Sequence, residues 1–222
     1  RVTNAKLKET EIGTIPMNWE VFKLEDLGTF QYGYTESAKD KKIGPKFLRI
    51  TDIDLNKSKI FWGSVPYCKI DNKELKKYLL GEGDILIARI GATTGKTCIV
   101  KSPPESVFAS YLIRFKLNIE KLLPDFVHHF TNCEYYWKQI NTNKEGKLKK
   151  GVSSSQLKKF KIPLPQFSEQ QQIVDILSSI DEKIEAEEKR VSALEQLFKS
   201  LLHSLMSGKI RVKDLKMGVI NG

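Results

Sequence analysis

The stretch Arg89-Ile-Gly-Ala-Thr-Thr-Gly-Lys-Thr97 sets Thr93 and Thr94 between two glycines and flanks them with Arg89 and Lys96, the composition of a loop that grips phosphate. A nucleotide-hydrolysing P-loop needs four residues between its first glycine and Gly-Lys-Thr, so that backbone amides encircle the phosphates, and then a helix whose N-terminus faces them. Here three residues intervene, and the following Thr97-Cys-Ile-Val-Lys-Ser-Pro-Pro104 is β-branched and closed by prolines, so it reads as a strand. The expectation is therefore a glycine hairpin, either a plain turn or one that brings amides and two cations to a nucleic-acid backbone.

Two more segments carry groups suited to the same task. In Gln31-Tyr-Gly-Tyr-Thr-Glu-Ser-Ala-Lys-Asp-Lys-Lys42, hydroxyls and aromatic rings alternate with lysines, groups that meet phosphates, base edges and base faces. In Lys144-Glu-Gly-Lys-Leu-Lys-Lys-Gly-Val-Ser-Ser-Ser-Gln156, four lysines precede three hydroxyls and an amide. Lysine loops are common on any surface; three of them on one basic body favour a polyanionic ligand.

Catalytic signatures are not found. The chain has no Gly-x-Ser-x-Gly elbow, no His-Glu-x-x-His and no recognisable nuclease spacing of acids and lysines. His128 and His129 lie within a helical pattern and are assigned no chemistry. Cys68, Cys98 and Cys133 stand far apart without a Cys-x-x-Cys pair, so they read as reduced structural thiols rather than metal ligands or a disulfide framework.

The elements that must position these loops read as mixed strand and helix. Residues 47–52, 84–90, 97–100 and 107–115 are β-branched and aromatic and read as four strands. Pro124 and Asp125 open a helix whose apolar face is Val127, Phe130, Cys133 or Glu134, Trp137 and Ile140. Lys161-Ile-Pro-Leu-Pro-Gln166 is a stiff extended strut.

Beyond the strut, Ile173, Leu177, Ile180, Ile184, Glu187, Val191, Leu194, Phe198, Leu201 and Leu205 recur at alternating steps of four and three. Such a heptad seam, running through residues 168–206 over roughly 58 Å at ~1.5 Å per residue, is too long to bury against a domain of this size and calls for a partner helix. Ser168 with Gln171 reads as a capping box at its start and Gly208 as a left-handed cap at its end. Glu187 interrupts the seam, either to select a register or as a slack point.

Charge divides at the same place. Residues 169–208 hold eight acids against four bases, the tail 209–222 carries +3, and residues 1–168 carry +11 of the total +10. With 222 residues and 40% hydrophobic content, one ordinary domain with an appended element is expected. No apolar run approaches the ~20 residues of a membrane span and the start is no signal peptide, so the expectation is a cytoplasmic protein.

Ile15-Pro-Met-Asn-Trp19 with Leu24 and Gly28, Tyr32-Gly-Tyr-Thr-Glu-Ser37, Gly83-Asp-Ile-Leu-Ile-Ala-Arg-Ile-Gly-Ala92 with Gly95-Lys96, and Ile162-Pro-Leu-Pro leading to Glu169-Gln-Gln-Gln-Ile-Val with Ile180-Asp181 occur in order around the long helix. In these residues, and over nearly its whole length, the chain resembles the specificity subunit of type I restriction-modification systems. The resemblance implies an α+β fold: a mixed α/β target-recognition domain (1–166), then one long helix (167–208) that pairs as an antiparallel coiled coil, then a basic tail (209–222). It implies a non-catalytic DNA-reading role without a cofactor of its own. Each recognition domain reads one half of a bipartite site in double-stranded DNA, and the helical region spaces the domains and docks methyltransferase subunits, through which the restriction subunit is reached. A full-length subunit of that family has two recognition domains and two helical regions, whereas this chain has one of each. It is thus expected either to pair with itself as a homodimer on an inverted repeat or to be one half of a longer subunit.

On this reading the DNA contacts are Tyr34, Thr35, Ser37, Lys39, Arg89, Thr93, Thr94, Lys96, Lys147, Lys149, Lys150, Ser153, Ser154, Ser155 and Gln156, with lysines on phosphates and arginine, hydroxyls and Gln156 on bases. Two competing readings are a dimeric coiled-coil DNA-binding regulator or scaffold, and a P-loop-like nucleotide-binding enzyme.

Overall fold

The computed structural model describes residues 6–142 and 151–214. Strand β1 (Leu7–Thr10) forms a hairpin with β2 (Gly13–Pro16), and β3 (Glu20–Lys23) is followed by β4 (Gly28–Tyr32), β5 (Lys46–Leu48) and the short pair β6 (Ile53–Asp54) and β7 (Lys59–Ile60). Helix α1 (Asn72–Tyr78) starts on Asp71, whose carboxylate accepts from the amides of Lys73 and Glu74. Then come β8 (Ile85–Ala88), β9 (Thr97–Ile99), β10 (Ser106–Phe108), β11 (Leu112–Leu117), α2 (Pro124–Phe130), α3 (Glu134–Thr142), α4 (Ser154–Lys158), β12 (Lys161–Leu164) and α5 (Phe167–Met206).

The centre is an antiparallel sheet in the order β4-β11-β8-β9. Its β8 sequence, Ile85-Leu-Ile-Ala88, reads as a continuous apolar run because both faces are covered. Ile85, Ile87, Ile99, Ile113 and Phe115 face one core with Phe126, Val127, Phe130, Tyr136 and Ile140 from α2 and α3. Their neighbours Leu86, Cys98, Val100 and Leu112 face a second core with Leu48, Val65, Leu80 and Phe108. The period of two thus sorts consecutive residues between two apolar interiors. Arg114 and Asp84 are buried beside this sheet, 7% and 4% exposed, where the guanidinium reaches Asp84 Oδ2 at 3.4 Å, Leu79 O at 2.6 Å, Lys77 O at 3.0 Å and Gln31 Oε1.

Four local expectations change in the structure. The strand expected over 47–52 stops at Leu48, because the Asp52 carboxylate accepts from the Arg49 amide at 2.9 Å and from its guanidinium at 2.8 and 3.0 Å, closing a 3₁₀ turn. The strand expected over 107–115 is two strands: β10 pairs in parallel with β5, a turn at 109–111 follows, and β11 enters the central sheet. The single helix expected from Pro124 breaks at 131–133, where Thr131 Oγ1 and Asn132 Nδ2 donate to the His128 carbonyl at 2.8 and 2.9 Å and compete with the helical amides. The break resets the helical phase, so fully buried Tyr136, rather than half-buried Trp137, anchors α3. Finally, α5 starts at Phe167, which leaves Ser168 inside the first turn instead of at the cap.

The proline strut is extended as expected, and it is also a strand: β12 pairs antiparallel with β3, Pro163 opposite Val21. At the start of α5, Gln170 is 1% exposed; its amide accepts from Leu123 N at 3.0 Å and donates to Lys121 O and Pro165 O at 3.0 and 3.1 Å. Gly208, at φ +71°, follows the helix, and its amide donates to Leu205 O at 3.2 Å. The chain divides into two compact units, residues 1–174 and residues 175–222. Among the described residues no helix is long and apolar enough to cross a membrane.

Candidate nucleic-acid interface

The loops singled out above meet at one end of the central sheet. In the order β4-β11-β8-β9, the C-terminal ends of β4 and β8 lie beside the N-terminal ends of β11 and β9, with Tyr32 opposite Ile113, Ala88 opposite Leu112 and Thr97 opposite Ile87. Residues 32–39, 89–96 and 110–111 therefore leave the sheet on the same side.

Tyr32 is the hinge of this arrangement. The Arg89 guanidinium lies over its ring, 4.7 Å from the centroid, and its hydroxyl accepts from the Ser154 amide at 2.9 Å. The Arg89 backbone is fixed from both sides: its amide donates to Tyr111 O at 3.1 Å, and its carbonyl accepts from Val152 N at 2.9 Å. Ile90 and Gly151 extend that contact as an antiparallel bridge. A guanidinium held over a phenol ring is confined near the sheet end, and its planar donor fork is suited to a phosphate or to the O6/N7 edge of guanine.

Glycines allow the close approach. A Cβ at Gly33 would stand 2.2 Å from the Ala109 carbonyl oxygen, and Gly95, at φ +91°, would place one 2.9 Å from Ile140. The hairpin loop is fixed from beneath, since Tyr136 of α3 donates its hydroxyl to Gly95 O at 2.8 Å; full burial raises that phenol's pKa. As the sequence spacing predicts, the segment is a hairpin, with β8 and β9 antiparallel and a single 3₁₀ turn at Gly91–Thr93 between them.

The candidate residues separate by what their side chains touch. Thr35, Ser37, Lys39 and Ser155 are exposed, and Arg89, Thr93 and Lys96 are half-buried, with the Lys96 ammonium on Asn56 Oδ1 at 2.5 Å. The Lys39 backbone exchanges hydrogen bonds with Tyr67 at 2.7 and 2.8 Å, so its side chain projects from a fixed position. Tyr34 is half-buried against Tyr78, ring centroids 5.2 Å apart, and burial, then Glu36, pushes its phenol up. Thr94 and Ser154 differ from expectation. Thr94 is 1% exposed with its hydroxyl on Gly91 O, and Ser154 is buried, so both support the loop instead of offering a hydroxyl outward. Ser153 and Gln156 form the capping box of α4, which engages the Gln156 carbonyl oxygen. Lys147, Lys149 and Lys150 lie outside the described residues.

Sequence reasoning missed Tyr32 and Tyr111 as site residues. Tyr32 stood in a segment already marked for its aromatic and lysine content, but Tyr111 was read as strand interior and is 56% exposed on the turn next to Arg89. Among the described residues no group of three or more His, Cys, Asp or Glu side chains is placed to hold a metal ion. The cysteines are free, and burial pushes the Cys68 and Cys98 thiols up to about 11 and about 12.

Along α5, Ile173 packs on the first core, while Leu177, Ile180, Ile184, Val191, Leu194, Phe198, Leu201 and Leu205 are exposed, Phe198 at 65%. Glu187 lies 3.8 Å from Arg190 of the same helix.

Residues 16–196 match the family model of the type I restriction modification DNA specificity domain. The chain is 33% identical over 216 residues to the MjaVIII specificity subunit of a type I restriction enzyme from Methanocaldococcus jannaschii, covering 94% of this chain and 50% of the relative. It is 32% identical over 223 residues to the putative MjaX specificity subunit of the same organism, covering 96% and 51%. The fold is similar to a chain of a type I R-M system solved in a study of its assembly and conformational transition, with TM-score 0.66 and 17% identity over 90% of this chain and 47% of that one. It is also similar to the HsdS subunit of Thermoanaerobacter tengcongensis, with TM-score 0.58 and 20% identity over 85% and 48%. The chain spans about half the length of the curated relatives it matches. With its family model matched over most of its length and two relatives above 30% identity, the chain belongs to the type I restriction-modification DNA specificity family.

Proposed function

We propose that this chain is a non-catalytic DNA reader that recognises one half of a bipartite target and, through its helical region, docks methyltransferase subunits and through them a restriction subunit, in the cytoplasm. The observation that carries the reading is the convergence of residues 32–39, 89–96 and 151–156 on the Tyr32–Arg89–Ser154 contact, on a body whose first 168 residues carry +11. Arg89, Thr93 and Lys96 are the central contacts, with Tyr34, Thr35, Ser37, Lys39, Ser153, Ser155 and Gln156 around them and Tyr32 and Tyr111 added as aromatic surfaces. Thr94 and Ser154 position the loop from within.

Selection from a pool of random duplexes tests it. The chain is expected to enrich one short half-site, and Arg89→Ala to abolish that enrichment while general duplex affinity falls less. Lys147, Lys149 and Lys150 changed together to alanine should weaken binding to all sequences and flatten its salt dependence. Mixing the chain with a methyltransferase subunit and methyl donor should then direct methylation to the selected site. Binding without sequence preference, or methylation independent of the chain, would overturn the reading in favour of a scaffold.

A further inference from the structure

The hairpin of β6 and β7 stands outside the three loop segments, yet its turn reaches the same end of the central sheet. Ile53, Leu55 and Ile60 anchor it in the second core. Between them the Asp54 carboxylate accepts from the amides of Asn56 and Lys57 at 3.0 and 3.2 Å, and Ser58 takes φ +49°, a left-handed conformation that residues with a Cβ rarely adopt. Ser58 is tied to β9 twice: its hydroxyl donates to Thr97 O at 3.2 Å, and its carbonyl accepts from the Cys98 thiol at 3.3 Å. One step closer to the loops, the Lys96 ammonium donates to Asn56 Oδ1 at 2.5 Å. The contacts run from Cys98 and Thr97 at Ser58 to Lys96 at Asn56, so the turn leads along the edge of β9 toward the 89–96 loop.

The Lys96 contact fixes what Asn56 offers to a ligand. An ammonium only donates, so the atom it meets is the amide oxygen, and the NH2 group faces away from it on an exposed side chain. Lys96 keeps two further N–H donors. The two side chains together present donors where the amide alone would present a donor and an acceptor. Holding the turn in place does not require them, since Ser58 already ties it to β9.

The position of the pair separates it from Arg89. Lys96 O accepts from the Ala88 amide at 2.9 Å, which sets Lys96 beside the root of Arg89. Their side chains then part. Arg89 lies over Tyr32 of β4, at one end of the strand order, whereas Lys96 reaches Asn56 beyond β9, at the other. Two donor groups that diverge in this way address different base pairs.

We infer that Asn56, together with Lys96, reads one guanine of the target through its major-groove edge. Guanine O6 and N7 are adjacent acceptors and match a donor-only pair; adenine and cytosine bring an amino donor against it, and thymine supplies a single acceptor. A donor set against a donor loses the bond it made to water, so the pair rejects the wrong base as well as holding the right one. The inference rests on the DNA-reading role proposed above and adds to it a fourth segment, residues 54–59, and the identity of one base.

The test uses selection from random duplexes by the full 222-residue chain. Asn56→Asp replaces the NH2 group with an acceptor while keeping the side-chain shape and the contact to Lys96. At one half-site position it should shift the preference from guanine to a base with an amino group, cytosine or adenine, by about tenfold, and leave the other positions as in wild type. Its melting temperature should stay within about 2 °C of wild type, which a merely structural role for Asn56 would not predict. Modified duplexes identify the groove. Replacing that guanine with 7-deazaguanine should weaken wild-type binding about tenfold, while hypoxanthine, which lacks only the minor-groove amino group, should bind as guanine does. The 7-deazaguanine comparison uses the wild-type chain alone, so it decides the question even if the variant melts lower. Identical base preferences for wild type and Asn56→Asp, or sensitivity to hypoxanthine in place of 7-deazaguanine, overturn the inference while the chain remains a sequence reader. A wild-type chain that selects no sequence overturns the DNA-reading role itself, and this inference with it.

Discussion

Arg114→Met is expected to be the most damaging single change in the body outside the apolar cores. The guanidinium, 7% exposed, donates to Leu79 O at 2.6 Å, Lys77 O at 3.0 Å, Gln31 Oε1 and Asp84 Oδ2 at 3.4 Å, joining β11 to α1, to β4 and to the start of β8. Methionine keeps most of the apolar stem and removes every donor. The Asp84 carboxylate, 4% exposed, would retain only the Gly81 amide at 2.9 Å, and the two carbonyls would lose a charged donor. Because the Asp84 contact is long at 3.4 Å, most of the loss comes from the orphaned acceptors, and breaking a buried pair from one side costs about 3–5 kcal/mol. Urea unfolding of the full chain followed by tryptophan fluorescence gives the difference in free energy. Arg114→Met with Asp84→Asn should recover about 1–2 kcal/mol of the loss, since the buried charge is gone while the carbonyls remain orphaned. A single variant within about 1 kcal/mol of wild type, or a double variant no better than the single, would refute the account, given that surface changes usually stay within about ±0.5 kcal/mol.

Further expectations concern the loop end of the sheet and the thiols. Arg89→Lys keeps the charge but loses the planar fork over Tyr32, so discrimination against a wrong base at one half-site position should fall by about 1–3 kcal/mol while the salt slope stays, as read by fluorescence anisotropy across ionic strengths. Gly33→Ala drives a methyl to 2.2 Å from Ala109 O and should lower stability by about 1–3 kcal/mol in thermal unfolding, with the turn at 109–111 displaced. Thiol alkylation at pH 8 should modify half-buried Cys133 first, since burial holds Cys68 at about 11 and Cys98 at about 12; raising the pH increases the thiolate fraction of both, so their rates should climb steadily towards pH 11, and early labelling of Cys98 at pH 8 would contradict its burial.

Much of this molecule could be read from patterns that repeat. The helical period of α5, the β-branched runs of β8 and β9 and the failed P-loop spacing all depend on periodicity or on a fixed count of residues, and they fold as read. Two of the misreadings fall where a polar side chain outcompetes the backbone pattern, Asp52 ending β5 and Thr131 with Asn132 splitting α2 from α3, and a third where a turn divides the apolar run 107–115 between two sheets. Single hydrogen bonds of this kind have no period and leave no trace in a hydropathy pattern. The candidate interface was legible as three segments but not as one place. What gathers them is the Tyr32–Arg89 stack, a contact between residues 57 positions apart, and the inward turn of Thr94 depends on Gly91 geometry that composition does not encode. Gln170 shows the same gap: it stood in a quoted motif, yet its three hydrogen bonds to residues 121, 123 and 165 emerge only in three dimensions.

The sheet that carries the candidate loops is filled on both sides by side chains that point away from them, Ile85 and Ile87 into one interior and Leu86 into the other. On the proposed reading, folding and target choice therefore draw on different residues. Exposed positions such as Ala92 and Ser37 can be rewritten without opening a void, whereas any exchange that reaches Gly33, Gly95 or Tyr136 disturbs the platform itself. A lineage built on this plan can drift to new words in DNA by editing tips alone, at almost no thermodynamic penalty, and the same separation marks where an engineer should graft.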